Sequence, residues 1–335
     1  MKKLIYYAGV MVVVIVLLPL IIVKGCGTAP EPEPPEKTTE AESYKITVYV
    51  ASTGETVDMD LEEYIKGVVA AEMPAGFDLE ALKAQAVAAR TFAYGRMSGV
   101  YASKQGMHDD ADICTDSTHC QAWVSKKDAM KKWGILSAPR YWGKIERAVN
   151  ETRGMIVTYQ GTVANTLFHA SSPGRTENAE NVWQGTYVPY LRSVESEGEE
   201  ASKDYIVSVM LKTDEIAEKL KEAYPDRKID AISSDSIEIL GLTVGRRVKM
   251  IKVGNIVIKG TEFRKLFGLR SACFTVEQIE DDLVRVTTTG HGHGVGMSQW
   301  GADSLAKKGG TFEEILRHYY TGVDIISIED FEKQN

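Results

Sequence analysis

Twenty consecutive residues without a charge, 4–23 (LIYYAGVMVVVIVLLPLIIV), restrict this 335-residue chain more than any other feature. As a helix, that length crosses a bilayer. Lys2 and Lys3 precede it, so residues 1–3 are expected to stay cytoplasmic. A cleaved leader has a shorter apolar core, about 7–15 residues, ending at small residues. The spacing therefore predicts a retained single-pass anchor over residues 4–23. Acylation at Cys26 in VKGC is the alternative, and Lys24 suits it poorly. Residues 24–43 (KGCGTAPEPEPPEKTTEAES) hold four of the ten prolines and five glutamates. That composition makes an extended, solvated linker. The folded part is then residues 44–335, held outside the cytoplasmic membrane.

A hydrophobic content of 44% supplies a core for that part, and a net charge of −8 argues against nucleic acid as the main ligand. YKITVYVA, residues 44–51, alternates and is β-branched, which predicts a strand. Asp60 then opens a helix, with Glu63 at capping-box spacing. A second helix is expected over residues 78–97, a long loop over 99–125, and a third helical stretch over 126–152, interrupted near Pro139. From Met155 strands take over (MIVTY, TVANTLFHA, IDAISSDSIEIL, RVKMIKVG, NIVIKG, LVRVTTTG), with short helices near 214–224 and 261–267. Thr311 and Glu314 cap a last helix, which Gly322 closes. Helices and strands intersperse without a regular βαβ rhythm, so the expected class is α+β.

The chemistry begins at Glu72. Leu61, Ile65, Val68 and Glu72 step by four, three and four, so the carboxyl shares the apolar face of its helix. Pro74 should stop the helix near Met73, because a residue before proline avoids the helical region. Apolar burial and the negative end of the helix dipole both raise a carboxyl pKa. A glutamate kept protonated near neutral pH is what a general acid needs. The bland alternative is a wet glutamate at a frayed end. In the next helix Lys83 and Arg90 lie seven apart on one face. They are read as a cationic wall beside Glu72 for an anionic ligand, or else as two snorkelling cations.

Cys114 and Cys120 enclose TDSTH, with His119 adjacent and His108 six residues before Cys114. Outside the membrane this is either a disulfide closing a small loop or a zinc site of two thiolates and a histidine. Cys273 and Cys26 have no assigned role. On a strand, His291 and His293 in TGHGHGVGMSQ would share one face, as half of a metal site, but the glycines of this run more often mean tight turns and close backbone approach. The glycine-rich run fits neither nucleotide-binding fingerprint. Trp123, Trp183, Tyr187 and Trp300 are candidates for stacking on sugars or for core packing.

Taken together, four blocks resemble the stage II sporulation protein D family, which includes the amidase enhancers. They are EMP…EALKAQAVAARTFA, DICTDSTHCQAW, SSPGRTENAENVWQGTYVPYL and GHGHGVGMSQWGADSLAKKG. Pro173 and Arg175 depart from that family's usual SSSGG. The resemblance implies a peptidoglycan lytic transglycosylase acting on glycan strands stripped of their stem peptides. It would cut between N-acetylmuramic acid and N-acetylglucosamine and leave a 1,6-anhydro end. The resemblance makes Glu72 the catalytic residue and Ser171 and Ser172 substrate-binding residues; His293 is a candidate for lining the same sugar cleft. The resemblance also implies structural zinc on Cys114 and Cys120, with His119 and His108 as neighbours. Lys83 and Arg90 would then read the free lactyl carboxylates. A sporulation amidase and a membrane partner of the engulfment machine are the implied partners, in the space between mother cell and forespore. Two other readings stand beside this one: a non-catalytic wall-binding enhancer of an N-acetylmuramoyl-L-alanine amidase, and a zinc hydrolase.

Overall fold

The computed structural model describes residues 43–101, 110–183 and 185–334. The apolar run at 4–23, the linker up to residue 42, Cys26 and His108 lie outside the described residues. No helix among the described residues is long and apolar enough to cross a membrane.

Strand β1 (Lys45–Val50) forms where the alternation predicts it and turns back into β2 (Glu55–Asp60). Sequence reasoning missed β2, whose residues are mostly exposed and carry no apolar face. Asp60 caps α1 (Leu61–Glu72), its carboxylate accepting from the Glu62 and Glu63 amides. Asp78 caps α2 (Leu79–Met97) in the same way. A short β3 (Ile113–Cys114) pairs in parallel with β1. Helix α3 (Lys126–Glu151) bends at Gly134 (φ 75°, ψ 160°), not at Pro139. The reason is that Gly134 takes a positive φ that breaks the helix, whereas Pro139 keeps helical dihedrals.

Then follow β4 (Met155–Tyr159), β5 (Thr162–Val163), β6 (Phe168–His169) and a turn of helix, α4 (Ala179–Val182). The expected strand TVANTLFHA is therefore two two-residue pieces. Strand β7 (Ile206–Lys212) and helix α5 (Thr213–Ala223) open an inserted lobe. It continues through β8 (Ile237–Leu242), β9 (Val248–Val253), β10 (Ile256–Lys259) and α6 (Gly260–Leu266). It closes with β11 (Phe274–Glu280) and β12 (Leu283–Thr289). Its two antiparallel sheets run β10-β9-β8 and β11-β12-β7. They enclose their own core around Ile216, Leu220, Ile251, Phe263 and Val286.

The chain returns through β13 (Met297–Ser298), α7 (Gln299–Lys307), α8 (Phe312–Tyr319), β14 (Asp324–Ser327) and α9 (Ile328–Gln334). Thr311 and Glu314 complete the capping box of α8. These returning elements pack on the larger core, which α1, α2 and α3 share with β1 and β4. The class is mixed α/β. Parallel pairing of β13 with β6 sets Ser298 against His169 and delivers the start of α7 to the end of α1.

Candidate functional site

The stripe of α1 is buried as its periodicity requires: Leu61, Ile65 and Val68 have almost no exposed surface. Met73 leaves the helix in an extended conformation ahead of Pro74, so Glu72 is the last helical residue and is half-buried. The chain from β3 to α3 lies across this helix. Val124 N–H donates to Gly67 O at 3.2 Å, and the Trp123 indole rests where a Cβ on residue 67 would overlap it. A glycine there is what lets the loop approach. The approach brings Ala122 N–H to Glu72 Oε1 at 3.0 Å. From the opposite side Gln299, at the head of α7, holds Nε2 3.4 Å from Glu72 Oε2 and 3.3 Å from Gln85 Oε1.

Burial raises the Glu72 pKa above the usual carboxylate range, against the smaller opposing pull of the Ala122 and Gln299 donors. The carboxyl therefore has an environment that favours protonation, with two fixed donors to stabilise the anion once the proton leaves. That is the balance a group needs to give a proton and take one back.

Cys114, His119 and Cys120 lie together on the stretch of chain that leads to Ala122. Their ligand atoms fall within 4.8 Å of one another, and no other group of three such residues among those described does so. His119 Nδ1 is 3.4 Å from Cys114 Sγ and 3.3 Å from Cys120 Sγ. A tetrahedral zinc with ordinary Zn–S and Zn–N bonds has S···N edges of about 3.5 Å, so the donor set fits that ion. Neither cysteine is in a disulfide, nor is Cys273. Burial pushes the Cys120 thiol up to about 12. The buried Tyr64 donates to Gln121 Oε1 at 3.3 Å. Burial raises its pKa, and the charges of Cys120, Cys114 and Glu72 add to that effect.

The cationic wall needs correction. Arg90 is fully buried: Nε and Nη2 bind the two oxygens of Glu62 at 2.9 and 2.6 Å, and Nη1 donates to Met155 O at 3.1 Å. A guanidinium with no exposed surface cannot meet a ligand, and its role is to tie α1, α2 and β4 together. Lys83 is paired with Glu80 (2.7 Å) and Glu151 (2.6 Å), so its charge is already balanced. Ser171 and Ser172 are also buried. The Ser172 hydroxyl lies 2.6 Å from His169 Nε2, so neither serine offers a hydroxyl to a glycan.

The run around His291 and His293 is a chain of turns, as its glycines suggest, and not a strand. Gly290, Gly292, Gly294 and Gly296 all have φ between 71° and 111°. A Cβ at Gly296 would collide with Leu167 O, so glycine is required there. His293 is half-buried between His169 and Trp183, with ring centroids 5.7 and 5.2 Å away. Burial pushes its pKa down to about 4, with Arg264 and Arg247 adding to the effect, so it is neutral at pH 7. The exposed His291 faces Arg270. No hydrogen bond among the described residues joins either histidine to Glu72.

Sequence reasoning missed Gln85, Ala122 and Gln299, and the Glu62 that occupies Arg90. It also missed Glu199, which is buried and accepts from Ser196 Oγ (2.5 Å) and Ser172 N (3.0 Å). Burial pushes Glu199 up to about 7. Of the aromatic candidates, Trp300 edges onto Phe77 at 4.8 Å and lines a surface cavity of about 230 Å³ with Asp303, Ser304 and Lys307, one residue from Gln299.

Residues 49–159 match the family model described as stage II sporulation protein. Stage II sporulation protein D of Bacillus subtilis (strain 168) is 38% identical over 88% of this chain and 82% of its own length. The protein of the same name from Bacillus amyloliquefaciens is 36% identical over 92% and 86%. An amidase enhancer of Bacillus subtilis is 27% identical over 78% of this chain and 40% of its own length.

Proposed function

The chain belongs to the stage II sporulation protein D family, and from that premise we propose that it is a lytic transglycosylase of peptidoglycan glycan strands already stripped of stem peptides. The observation that carries the reading is the convergence on one carboxyl. Glu72 comes from the EMP block, Ala122 from the CQAW block and Gln299 from the GMSQW block, and the latter two supply the donors to its two oxygens. Three blocks far apart in sequence thus build a single acid–base group.

Ordinary glycosidases use two carboxyl groups, one of them to activate water or attack the sugar. In the proposed reaction Glu72 protonates the glycosidic oxygen that leaves from C1 of N-acetylmuramic acid. The anion, held by Ala122 and Gln299, then takes the proton of the muramic 6-hydroxyl as that oxygen bonds to C1. The product is the 1,6-anhydro end, and the nucleophile is already part of the substrate, so one carboxyl suffices. Glu72→Gln keeps the shape and one of the two acceptor oxygens but has no proton to cycle. It should lower turnover of stripped strands by about 10²–10⁴-fold with unchanged thermal unfolding. Near-normal cleavage by that variant would sink the assignment, and no cleavage by the parent protein would favour the wall-binding amidase-enhancer reading.

Zinc belongs to the same proposal. Cys114, Cys120 and His119 would hold it, and it would supply a fixed clamp on the loop that carries Ala122. Anchoring through residues 4–23 would keep this domain in the space between mother cell and forespore. There a sporulation amidase would generate its substrate and a membrane partner would join it.

A further inference from the structure

The bend in α3 exposes the two aliphatic side chains that follow it. Ile135 is 89% and Leu136 93% exposed, the highest values among the exposed large hydrophobic residues. Neighbouring aliphatics are normally at least partly covered, and here the positive φ of Gly134 turns both outward at the tip of the bend. Just behind the tip, Trp133 and Tyr141 pack edge to face at 5.7 Å, both half-buried, and hold the two arms of the bend together.

Around this tip the charge is of one sign. Lys126, Lys127, Lys131, Lys132, Arg140 and Lys144 stand against one carboxylate, Asp128, between residues 126 and 144, in a chain whose net charge is −8. Lys126 pairs with Glu146, and Lys144 donates to Phe77 O. Lys127, Lys131, Lys132 and Arg140 are exposed and take part in no ion pair among the described residues.

We propose that residues 131–140 form a membrane-inserting finger, with Ile135 and Leu136 entering the acyl boundary of an anionic bilayer and Lys131, Lys132 and Arg140 meeting its lipid phosphates. Two protruding aliphatics, an aromatic pair at the level below and flanking cations are the distribution that an interfacial segment requires. Charge selects the occupant: the cations are complementary to anionic headgroups and are drawn to them within a Debye length. The chain ahead of Tyr44 bears on this too. A linker of some twenty residues, if extended, reaches about 60 Å, enough for the finger to touch the same bilayer that residues 4–23 are expected to enter.

The backbone supplies its own reporter. The amides that open the segment after Gly134 have no acceptor within their helix, so their hydrogen exchange is fast unless something covers them. The test is hydrogen–deuterium exchange, read by mass spectrometry, on the full chain reconstituted in phosphatidylglycerol-rich vesicles and in pure phosphatidylcholine vesicles. Exchange across 131–140 should slow at least about tenfold on the anionic vesicles relative to the neutral ones. Ile135→Ser/Leu136→Ser should abolish the slowing by removing the buried aliphatic area. Lys131→Glu/Lys132→Glu should abolish its lipid dependence. All these positions are exposed, so thermal unfolding should not change. Equal exchange on both vesicles would overturn the proposal, and so would slowing that survives in the double-serine variant. Slowing in detergent without a bilayer, growing with protein concentration, would also overturn it and assign the finger to a second copy of the chain.

Discussion

Replacing Arg90 by alanine separates the two roles its sequence position allows. The side chain is wholly buried, and its guanidinium meets both oxygens of Glu62, itself only 5% exposed. Alanine would leave that carboxylate inside the core with the Gly154 amide, 3.1 Å from Oε1, as a remaining donor. Removing one partner of a buried pair typically costs about 3–5 kcal/mol, because the other charge is stranded. For a domain of this size each kcal/mol moves the midpoint by about 2–4 °C, so the melting temperature should fall by about 6–20 °C. Arg90→Met/Glu62→Leu removes both charges and replaces them with apolar volume, and most of that loss should be recovered. Calorimetry or circular dichroism on the three variants and the parent makes the comparison, with cleavage of stripped strands measured below every midpoint. An Arg90→Ala protein that melts like the parent but binds stripped strands poorly would refute the structural role and restore the guanidinium to the ligand.

Glu199 predicts a pH dependence of stability. Its folded pKa is raised to about 7 from an ordinary 4.5, so the stability it contributes is complete below about 4.5 and is lost as pH rises through 7. The change approaches roughly 3 kcal/mol, and Glu199→Gln should flatten it in urea titrations run from pH 4.5 to 8. Glu72 is also raised, so the rate should fall as pH rises through its pKa. Gln299→Leu removes one of the two donors that oppose that shift, and should move the same limb further toward alkaline pH. A limb that stays in place would exclude Gln299 from tuning the acid. Gly67→Ala should cost about 1–3 kcal/mol by pushing Trp123 off α1, and should lower activity with it, since Ala122 follows the same loop.

Glu72 was legible in sequence because everything that positions it is local: the stripe at 61, 65 and 68 sets its face and Pro74 sets the helix end. Its two donors were not, because they lie 50 and 227 residues away and depend on how the loop and α7 pack. Arg90 shows the limit of periodicity. Spacing of seven from Lys83 fixes a shared face, but which neighbour that face meets is a property of the helix pair, and here it is Glu62 on α1. The break in α3 turned on backbone conformation at Gly134, to which hydrophobic pattern is blind, whereas proline drew the eye to residue 139. Two-residue strands such as β6 and β13 carry no period to read, yet they deliver Gln299 to the carboxyl.

The central claim is the chemistry assigned to Glu72, and mass spectrometry of the products tests it most directly. Peptide-free glycan strands incubated with the protein should yield fragments one water lighter than hydrolysed ends, and Glu72→Gln should yield none. Fragments carrying the full mass of added water, or the lighter fragments formed equally by Glu72→Gln, would contradict it.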